Sequence, residues 1–205
     1  MILCLTEAIG TVRVRVALVI FSVIFLIGCT APDTATPAFV GADISGSDLG
    51  KGWRLTDHMG RLRQALDFHG KVVALFFGYT HCPDVCPTTM YDLAQAIRSL
   101  GTRGREVQVL FVTLDPERDT QQVLAQYVPS FNPEFLGLRG SAENTAKVAE
   151  GFKVFYQKQA SNGRDGYSID HSAGIYVFDK KGNPRIFLNH GQAAHDIAHD
   201  LGLLL

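Results

Sequence analysis

Neither sign of charge dominates this sequence, and no internal repeat or low-complexity segment is visible in it. Its 19 Lys and Arg residues are balanced by 20 Asp and Glu residues, which gives a formal net charge of −1 at pH 7. A protein that binds nucleic acid needs a stripe or patch of positive charge to meet the phosphates. The sequence has no such stripe and no acidic tail, so we predict that nucleic acid is not a partner.

The N-terminus lacks an apolar run long enough for a comfortable membrane span. Two arginines precede an apolar stretch over residues 16–27, whereas a spanning helix needs about 20 apolar residues, so the stretch is typical of a signal peptide. It ends in the tetrad LIGC, which resembles a bacterial lipobox. We predict that residues 1–28 are a lipoprotein-type signal peptide and that Cys29, the first mature residue, carries a lipid anchor. The alternative is an uncleaved anchor helix, which leaves Cys29 unexplained.

The segment that follows has nothing to bury. Residues 30–40 are rich in Pro, Thr and Ala, which predicts a flexible tether. Residues 41–205 are predicted to form one domain, because this length is ordinary for a single core. With 46% hydrophobic residues in the sequence, that core should be ample.

The stretch KVVALFFGYTHCPDVCPTTMYDLAQAIRSL places two cysteines between a predicted strand and a predicted helix. The apolar run Val72–Phe77 is typical of a strand buried on both faces. From Pro87 onward the apolar residues recur at helical intervals, up to Gly101. Cys82 and Cys86 therefore lie where the helix begins, and its unpaired N–H groups favour thiolates. Four residues apart, their sulfurs can form a disulfide or share one metal ion.

Cysteine is scarce, with four residues in the chain. If the signal peptide is removed and Cys29 is acylated, Cys82 and Cys86 are the only free pair, in an oxidising compartment. A structural disulfide is one interpretation. A loop this short, however, stabilises less than the roughly 3 kcal/mol expected for a loop of about 15 residues, and the predicted core needs no such link. The sequence therefore favours a functional pair.

A second apolar segment, Glu106–Leu114, predicts another buried strand. A cluster of charged residues within 115–119 follows it at the carboxyl end of the sheet, where functional sites are common in open α/β sheets. Asp119 is equally a candidate N-cap of the next helix, with Gln122 completing a capping-box-like pair. A structural role and a functional role for Asp119 both stay open at this point.

Three motifs carry a family resemblance: GYTHCPDVCPTT, LDPERDT over residues 114–120, and IDHS over residues 169–172. Together they resemble the Sco (SenC) family, and the resemblance covers roughly the whole chain after the signal segment. It implies a thioredoxin-like protein that assembles the copper site of cytochrome oxidase.

The order of predicted elements matches that fold. A strand lead-in is followed by βαβα, a short strand and helix, an extended segment, a polar loop over 160–166, and then a hairpin and a closing helix. We predict an α/β, thioredoxin-like fold with a central mixed sheet flanked by helices, an N-terminal strand lead-in and a C-terminal hairpin plus helix.

The two thiolates leave a soft metal one ligand short of trigonal coordination. Copper(I) is the metal such sulfurs favour, with imidazole as a suitable third donor, whereas structural zinc wants four ligands. His171 lies 85 residues beyond Cys86, so spacing does not nominate it. The family resemblance implies that His171 is the ligand. We therefore predict a site of Cys82, Cys86 and His171 for copper(I), and leave open whether copper(II) is also held.

Two other histidine motifs are weighed against this site. His81, directly before Cys82, is interpreted as a modulator of the cysteine pKa and not as a ligand. The segment HDIAH, His195 to His199, mimics the zinc-protease pattern HExxH, but Asp replaces the catalytic Glu and no third ligand follows. We reject a protease on that basis.

Three functions remain. The first is a metallochaperone that passes copper to the apo CuA domain of cytochrome c oxidase subunit II. The second is a thiol-disulfide oxidoreductase that uses Cys82 and Cys86 as a redox pair to reduce the cysteines of that subunit. The third, a peroxiredoxin-like peroxidase, is supported only by the fold and a cysteine.

The CxxxC spacing and the lack of proline between Pro133 and Pro184 argue against a thioredoxin-type enzyme, so the chaperone is favoured and enzyme activity is left undecided. The predicted partners are the oxidase subunit, the membrane through the lipid anchor, and an upstream periplasmic copper donor or thiol reductant. The predicted location is the cell membrane, with the domain on the periplasmic or other extracytoplasmic side.

Overall fold

An eight-stranded mixed sheet forms the centre of the structure, a computed structural model that describes residues 38–160 and 166–205. The described strands are β1 (Ala42–Asp43), β2 (Arg54–Asp57), β3 (Leu62–Gln64), β4 (Val72–Gly78), β5 (Val107–Thr113), β6 (Leu136–Arg139), β7 (Tyr156–Ala160), β8 (Tyr167–His171), β9 (Gly174–Phe178) and β10 (Pro184–Asn189). The described α-helices are α1 (Val85–Ser99), α2 (Gln121–Tyr127), α3 (Ala142–Gly151) and α4 (Ala194–Leu204). Short 3₁₀ turns occur at Ala65–Phe68, Gly101–Glu106 and Val128–Ser130.

The strand order in the main sheet is β1-β10-β9-β4-β5-β6-β2-β3. The two central strands, β4 and β5, run parallel in register from Val72 opposite Val107 to Gly78 opposite Thr113. All seven residues of each are buried, because helices or irregular segments cover both faces of the sheet. Their near-continuous apolar composition is the reason that the sequence predicted both strands correctly.

The core is divided by the sheet into two clusters. One contains apolar residues of α1, α2 and α4, among them Met90, Leu124 and Ile197. The other contains residues of α3 together with the N-terminal segment, among them Val148 and Trp53. Helices therefore cover both faces of the sheet, and the predicted α/β, thioredoxin-like class is confirmed.

The hairpin β7–β8 forms a second, two-stranded sheet, with Tyr156 opposite His171 and Ala160 opposite Tyr167. The sequence predicted an extended segment and a loop here but not their pairing, because most residues of β7 are exposed and polar. Residues 161–165, the centre of the predicted polar loop, lie outside the described residues.

Residues from Phe39 onward form one compact unit. No helix within the described ranges is both long and apolar enough to cross a membrane. The predicted signal peptide over residues 1–28, Cys29 and most of the predicted tether lie outside those ranges.

Candidate metal centre

The two cysteines lie on either side of the first residue of helix α1. Cys82 is half-buried in the loop 79–84, and Cys86, the second residue of α1, is fully buried. The backbone N–H of Cys86 donates to the Cys82 sulfur at 3.4 Å, so one of the unpaired N–H groups at the helix start points at a cysteine, as predicted. Neither cysteine is in a disulfide.

Gly78, the last residue of β4, makes room for the buried sulfur. A Cβ atom placed on Gly78 would lie 2.8 Å from Cys86 Sγ and 3.0 Å from the rings of Phe76 and Phe111. Distances this short are steric overlaps, so a larger residue at position 78 would displace the sulfur or the rings. The sequence offered only the end of a strand as a reason for this glycine.

His171 lies beside Cys86. Its Nε2 atom is 3.7 Å from Cys86 Sγ, and its Nδ1 atom is 3.0 Å from the carbonyl oxygen of Ser172. Because a carbonyl can only accept, Nδ1 carries the hydrogen and Nε2 presents its lone pair toward the sulfur when the ring is neutral. The rings of Phe76 and Tyr79 contact the imidazole at centroid distances of 6.4 and 6.0 Å, which restrict its orientation.

The two thiols share one proton unequally. A hydrogen bond from the Cys86 thiol is the largest cause that holds the pKa of Cys82 far below its ordinary value, at about 3, and hydrogen bonds from the backbone N–H groups of Asp84 and Cys86 act in the same direction. The same bond, followed by burial and the negative charge of Cys82, raises the pKa of Cys86. At neutral pH, Cys82 is therefore the thiolate and Cys86 the thiol. A second thiolate requires a positive charge, such as a metal ion, to replace the proton.

Asp119 does not cap helix α2, and that interpretation was wrong. Thr120 is the N-cap, and its side-chain oxygen accepts from the N–H of Val123. Asp119 is fully buried and accepts hydrogen bonds from the backbone N–H and hydroxyl of Thr80 at 3.0 and 2.6 Å and from the hydroxyl of Thr113 at 2.5 Å. These three inward donors direct the carboxylate away from the helix start.

The remaining predicted histidines lie at the surface. His81 is exposed, with Nδ1 at 3.1 Å from the Thr80 hydroxyl and 3.7 Å from the Asp119 carboxylate. On α4, His195 is 83% exposed and His199 is half-exposed, each with a neighbouring carboxylate. The carboxylate that follows His199, Asp200, is buried and accepts from the N–H groups of residues 40 and 41.

The predicted metal ligands thus lie close together in two pairs: Cys82 with Cys86, and Cys86 with His171. Across residues 38–160 and 166–205, no three side chains of His, Cys, Asp or Glu are arranged so that they could hold a metal ion as they stand. The role of Cys82, Cys86 and His171 as ligands stays a prediction.

Comparison with known proteins assigns residues 41–205 to one protein family. The family model described as SCO1/SenC matches residues 41–205. A mitochondrial SCO2 homolog of Bos taurus is 41% identical over 152 residues, which are 73% of this chain and 57% of that protein. The chain spans less than two thirds of the length of the first mitochondrial relatives it matches.

Two solved structures are similar over nearly their full length. The copper-bound structure of Bradyrhizobium japonicum ScoI has a TM-score of 0.68 and 34% identity, and the match covers 82% of this chain and 100% of that one. The solution structure of apo Sco1 from Thermus thermophilus has a TM-score of 0.72 and 38% identity, and the match covers 82% of this chain and 98% of that one.

Proposed function

Because the chain belongs to the SCO1/SenC family, we propose that it is a copper-binding metallochaperone that acts in the assembly of cytochrome c oxidase. Its cargo, copper(I), is held by Cys82, Cys86 and His171 and is delivered to the CuA site of oxidase subunit II. The observation that carries the proposal is the 3.7 Å separation of Cys86 Sγ and His171 Nε2, two potential donors that are 85 residues apart in the chain.

This separation fits a shared metal ion. A thiolate sulfur at about 2.3 Å and an imidazole nitrogen at about 2.0 Å from one ion, about 120° apart, are themselves about 3.7 Å apart. Two sulfurs and one nitrogen form the soft donor set that copper(I) favours. The similarity to ScoI of Bradyrhizobium japonicum, whose structure has copper bound, supports the same choice of metal.

The protonation of the pair suggests an order of binding. Copper(I) first binds the thiolate of Cys82, because Cys82 is the more exposed of the two cysteines. The Cys86 thiol then loses its proton as its sulfur binds the metal, and the lone pair of His171 completes the set. Release reverses this order as the acceptor's sulfurs exchange for these ligands one at a time.

The location of the protein is part of the proposal. A lipid on Cys29 would hold the domain at the cell membrane on its extracytoplasmic side, next to the acceptor subunit. An upstream donor would load copper there, or an upstream reductant would keep the two cysteines reduced.

One observation favours a second function, thiol-disulfide exchange. A half-exposed thiolate, Cys82, next to a buried thiol, Cys86, is the arrangement that such exchange requires. The Cys82 thiolate attacks a disulfide of the target to form a mixed disulfide. Cys86 then loses its proton and attacks the Cys82 sulfur, which releases the target as a dithiol and leaves a Cys82–Cys86 disulfide. A dithiol reductant must restore the pair.

Copper titration tests the first function. The reduced domain, started after Cys29, should bind one copper(I) per chain in competition with a copper(I) chelator. His171→Ala should weaken binding strongly, because it removes one of three donors. His195→Ala, which changes an exposed histidine on α4, is the matched control and should have no effect. A stoichiometry above one, or equal affinity for the His171→Ala variant and the wild type, would contradict the assignment.

A deletion strain separates the two functions. If the protein delivers copper, added copper should restore oxidase activity in cells that lack it. If it mainly reduces the target cysteines, added thiol reductant should restore the activity instead.

A further inference from the structure

The segment between β5 and α2 contacts both halves of the candidate metal centre. We propose that this segment, Asp115–Asp119, which we call the bridging turn, positions the Cys82 loop through Asp119 and the His171 strand through Asp115 and Arg118, without supplying a ligand. The proposal deepens the proposed function and rests on it.

On the cysteine side, Asp119 fixes the loop that precedes Cys82. Its carboxylate accepts from the backbone N–H and hydroxyl of Thr80, two residues before Cys82, and from the hydroxyl of Thr113 at the end of β5. All three hydrogen bonds are to the Asp119 carboxylate, which is fully buried. The loop is therefore tied to the carboxyl end of β5, and Cys82 is held at a set distance from the sheet.

On the histidine side, Arg118 fixes the start of β8. Its Nε donates to the Asp115 carboxylate, and its Nη1 donates to the carbonyl of Tyr167 at 2.9 Å. The hydroxyl of Tyr167 donates to the same Asp115 carboxylate at 2.7 Å. The guanidinium carbon lies 3.7 Å from the centroid of the Tyr167 ring, so stacking adds to the hydrogen bonds. His171 lies at the other end of this strand.

The strand needs such an anchor. In the described structure β8 pairs with β7 alone and does not join the main sheet, so the strand ladder does not fix its position relative to the cysteines. Ile169 packs into the core, and the hydrogen bonds of Arg118 and Tyr167 add a directional constraint at the start of the strand. Asp115 is fully buried, and a buried carboxylate that loses its cationic partner is costly. The cluster of Asp115, Arg118 and Tyr167 therefore favours one position of the hairpin.

The bridging turn therefore contacts both the loop that carries Cys82 and the strand that carries His171. Metal donors must be held within a few tenths of an ångström, and the groups that orient them typically change metal affinity by 10- to 100-fold when they are altered. Asp115, Arg118 and Asp119 are positioning residues by this argument.

Double-mutant cycles test the histidine side. Arg118→Lys, which keeps the charge but not the two-directional hydrogen bonding, should weaken copper(I) affinity by about tenfold. In a His171→Ala background, the same change should have no further effect, because the donor it positions is absent. If Arg118→Lys weakens affinity equally in both backgrounds, or has no effect in the wild type, the proposal is wrong for this side.

A second double-mutant cycle tests whether Asp119 positions the Cys82 loop. Asp119→Asn replaces one of the two accepting oxygens by an NH2 group, which donates and cannot accept from Thr80 or Thr113. It should weaken affinity in the His171→Ala background but not further in a Cys82→Ala background. If Asp119→Asn does not fold, Thr80→Val, which removes a single hydroxyl, should give the same pattern to a smaller degree. Equal losses in the two backgrounds would contradict the proposal for Asp119.

A matched control lies at the end of β2, two strands away from β5 in the main sheet. Asp57 is also fully buried and accepts from Arg63 Nε at 2.8 Å. Arg63→Lys should lower stability as Arg118→Lys does, yet leave copper(I) affinity unchanged. If Arg118→Lys does not fold, Tyr167→Phe keeps the ring and removes only the hydroxyl.

Measurements on the metal-free protein separate this proposal from the proposed function. Arg118→Lys should weaken the NMR cross-peaks between the His171 and Tyr79 rings, whereas Arg63→Lys should not. If the wild type binds no copper(I), the proposed function fails, and these cross-peaks alone decide whether the turn positions His171. Unchanged cross-peaks in Arg118→Lys would overturn the positioning role.

Discussion

The α-carbon of Gly78 faces the sulfur of Cys86 so closely that a Cβ atom would come within 2.8 Å of it. The parallel strands β4 and β5 therefore determine where one of the candidate ligands lies. The chemistry of the site depends on a residue that has no side chain.

Gly78→Ala tests this dependence. The added methyl group should displace Cys86 Sγ, weaken copper(I) binding and destabilise the fold by about 1–3 kcal/mol, as over-packing does. The matched control is Gly137→Ala in β6, whose Cβ would meet Val128 and Leu124 at 3.0 and 3.2 Å. It should lower stability in thermal unfolding but leave affinity unchanged. Equal copper(I) affinity for Gly78→Ala and wild type would mean that the sulfur position is not critical.

A second prediction concerns the pH dependence of Cys82 reactivity. Its pKa is lowered to about 3, so the thiolate, the reactive form, is fully present at every pH above roughly 5. Alkylation of Cys82 by iodoacetamide should proceed at pH 5 and change little up to pH 8. Cys86→Ala removes the largest cause of the shift. The pKa should then rise toward the ordinary thiol value of about 8.5, and alkylation at pH 6 should slow.

Mass-spectrometric mapping of the alkylated residue is the measurement. A wild-type profile that rises steeply between pH 7 and pH 9 would show that Cys82 is an ordinary thiol. In that case, neither the order of copper binding nor the exchange mechanism proposed above would hold.

The pair should also act as a redox switch for copper. Oxidation of Cys82 and Cys86 to a disulfide removes both thiolates, and we expect copper(I) binding to be lost with them. The measurement is a titration of oxidised protein without reductant, followed by a titration after reduction. Tight binding by the oxidised form would contradict the proposed ligand set.

The lipid anchor is a further prediction, on residues outside the described ranges. Wild-type protein should take up labelled fatty acid in cells, and Cys29→Ser should not. The copper chemistry of the domain should be the same in both. If the wild type takes up no label, the uncleaved anchor helix is the better interpretation.

The parts of the fold that could be predicted from the sequence are those with a strong local pattern. β4 and α1 have continuous or helically spaced apolar residues, and the structure places both within two residues of their predicted limits. The hairpin β7–β8 was missed, because its polar strands pair with each other and show no apolar face long enough to detect.

The site was less predictable than the fold. The position of His171 next to Cys86 depends on contacts between segments 85 residues apart, which local spacing does not encode, so only the family resemblance pointed to it. Asp119 matched a capping-box pattern with Gln122, but Thr120, one residue later and also a common N-cap residue, has that role. Which of the two caps the helix depended on the buried donors of Thr80 and Thr113, which no local window contains.

The register of the central strands has a consequence for how this chain can vary in length. Gly78 lies opposite Thr113, so the Cys82 loop and the bridging turn leave the sheet side by side. Inserting one residue into β5 would move the turn by about 3.3 Å and reverse which side chains face each side of the sheet. Insertions and deletions should therefore accumulate at the other end of these strands, near Gly70, and should be rare between Val72 and Gly78 or between Val107 and Thr113.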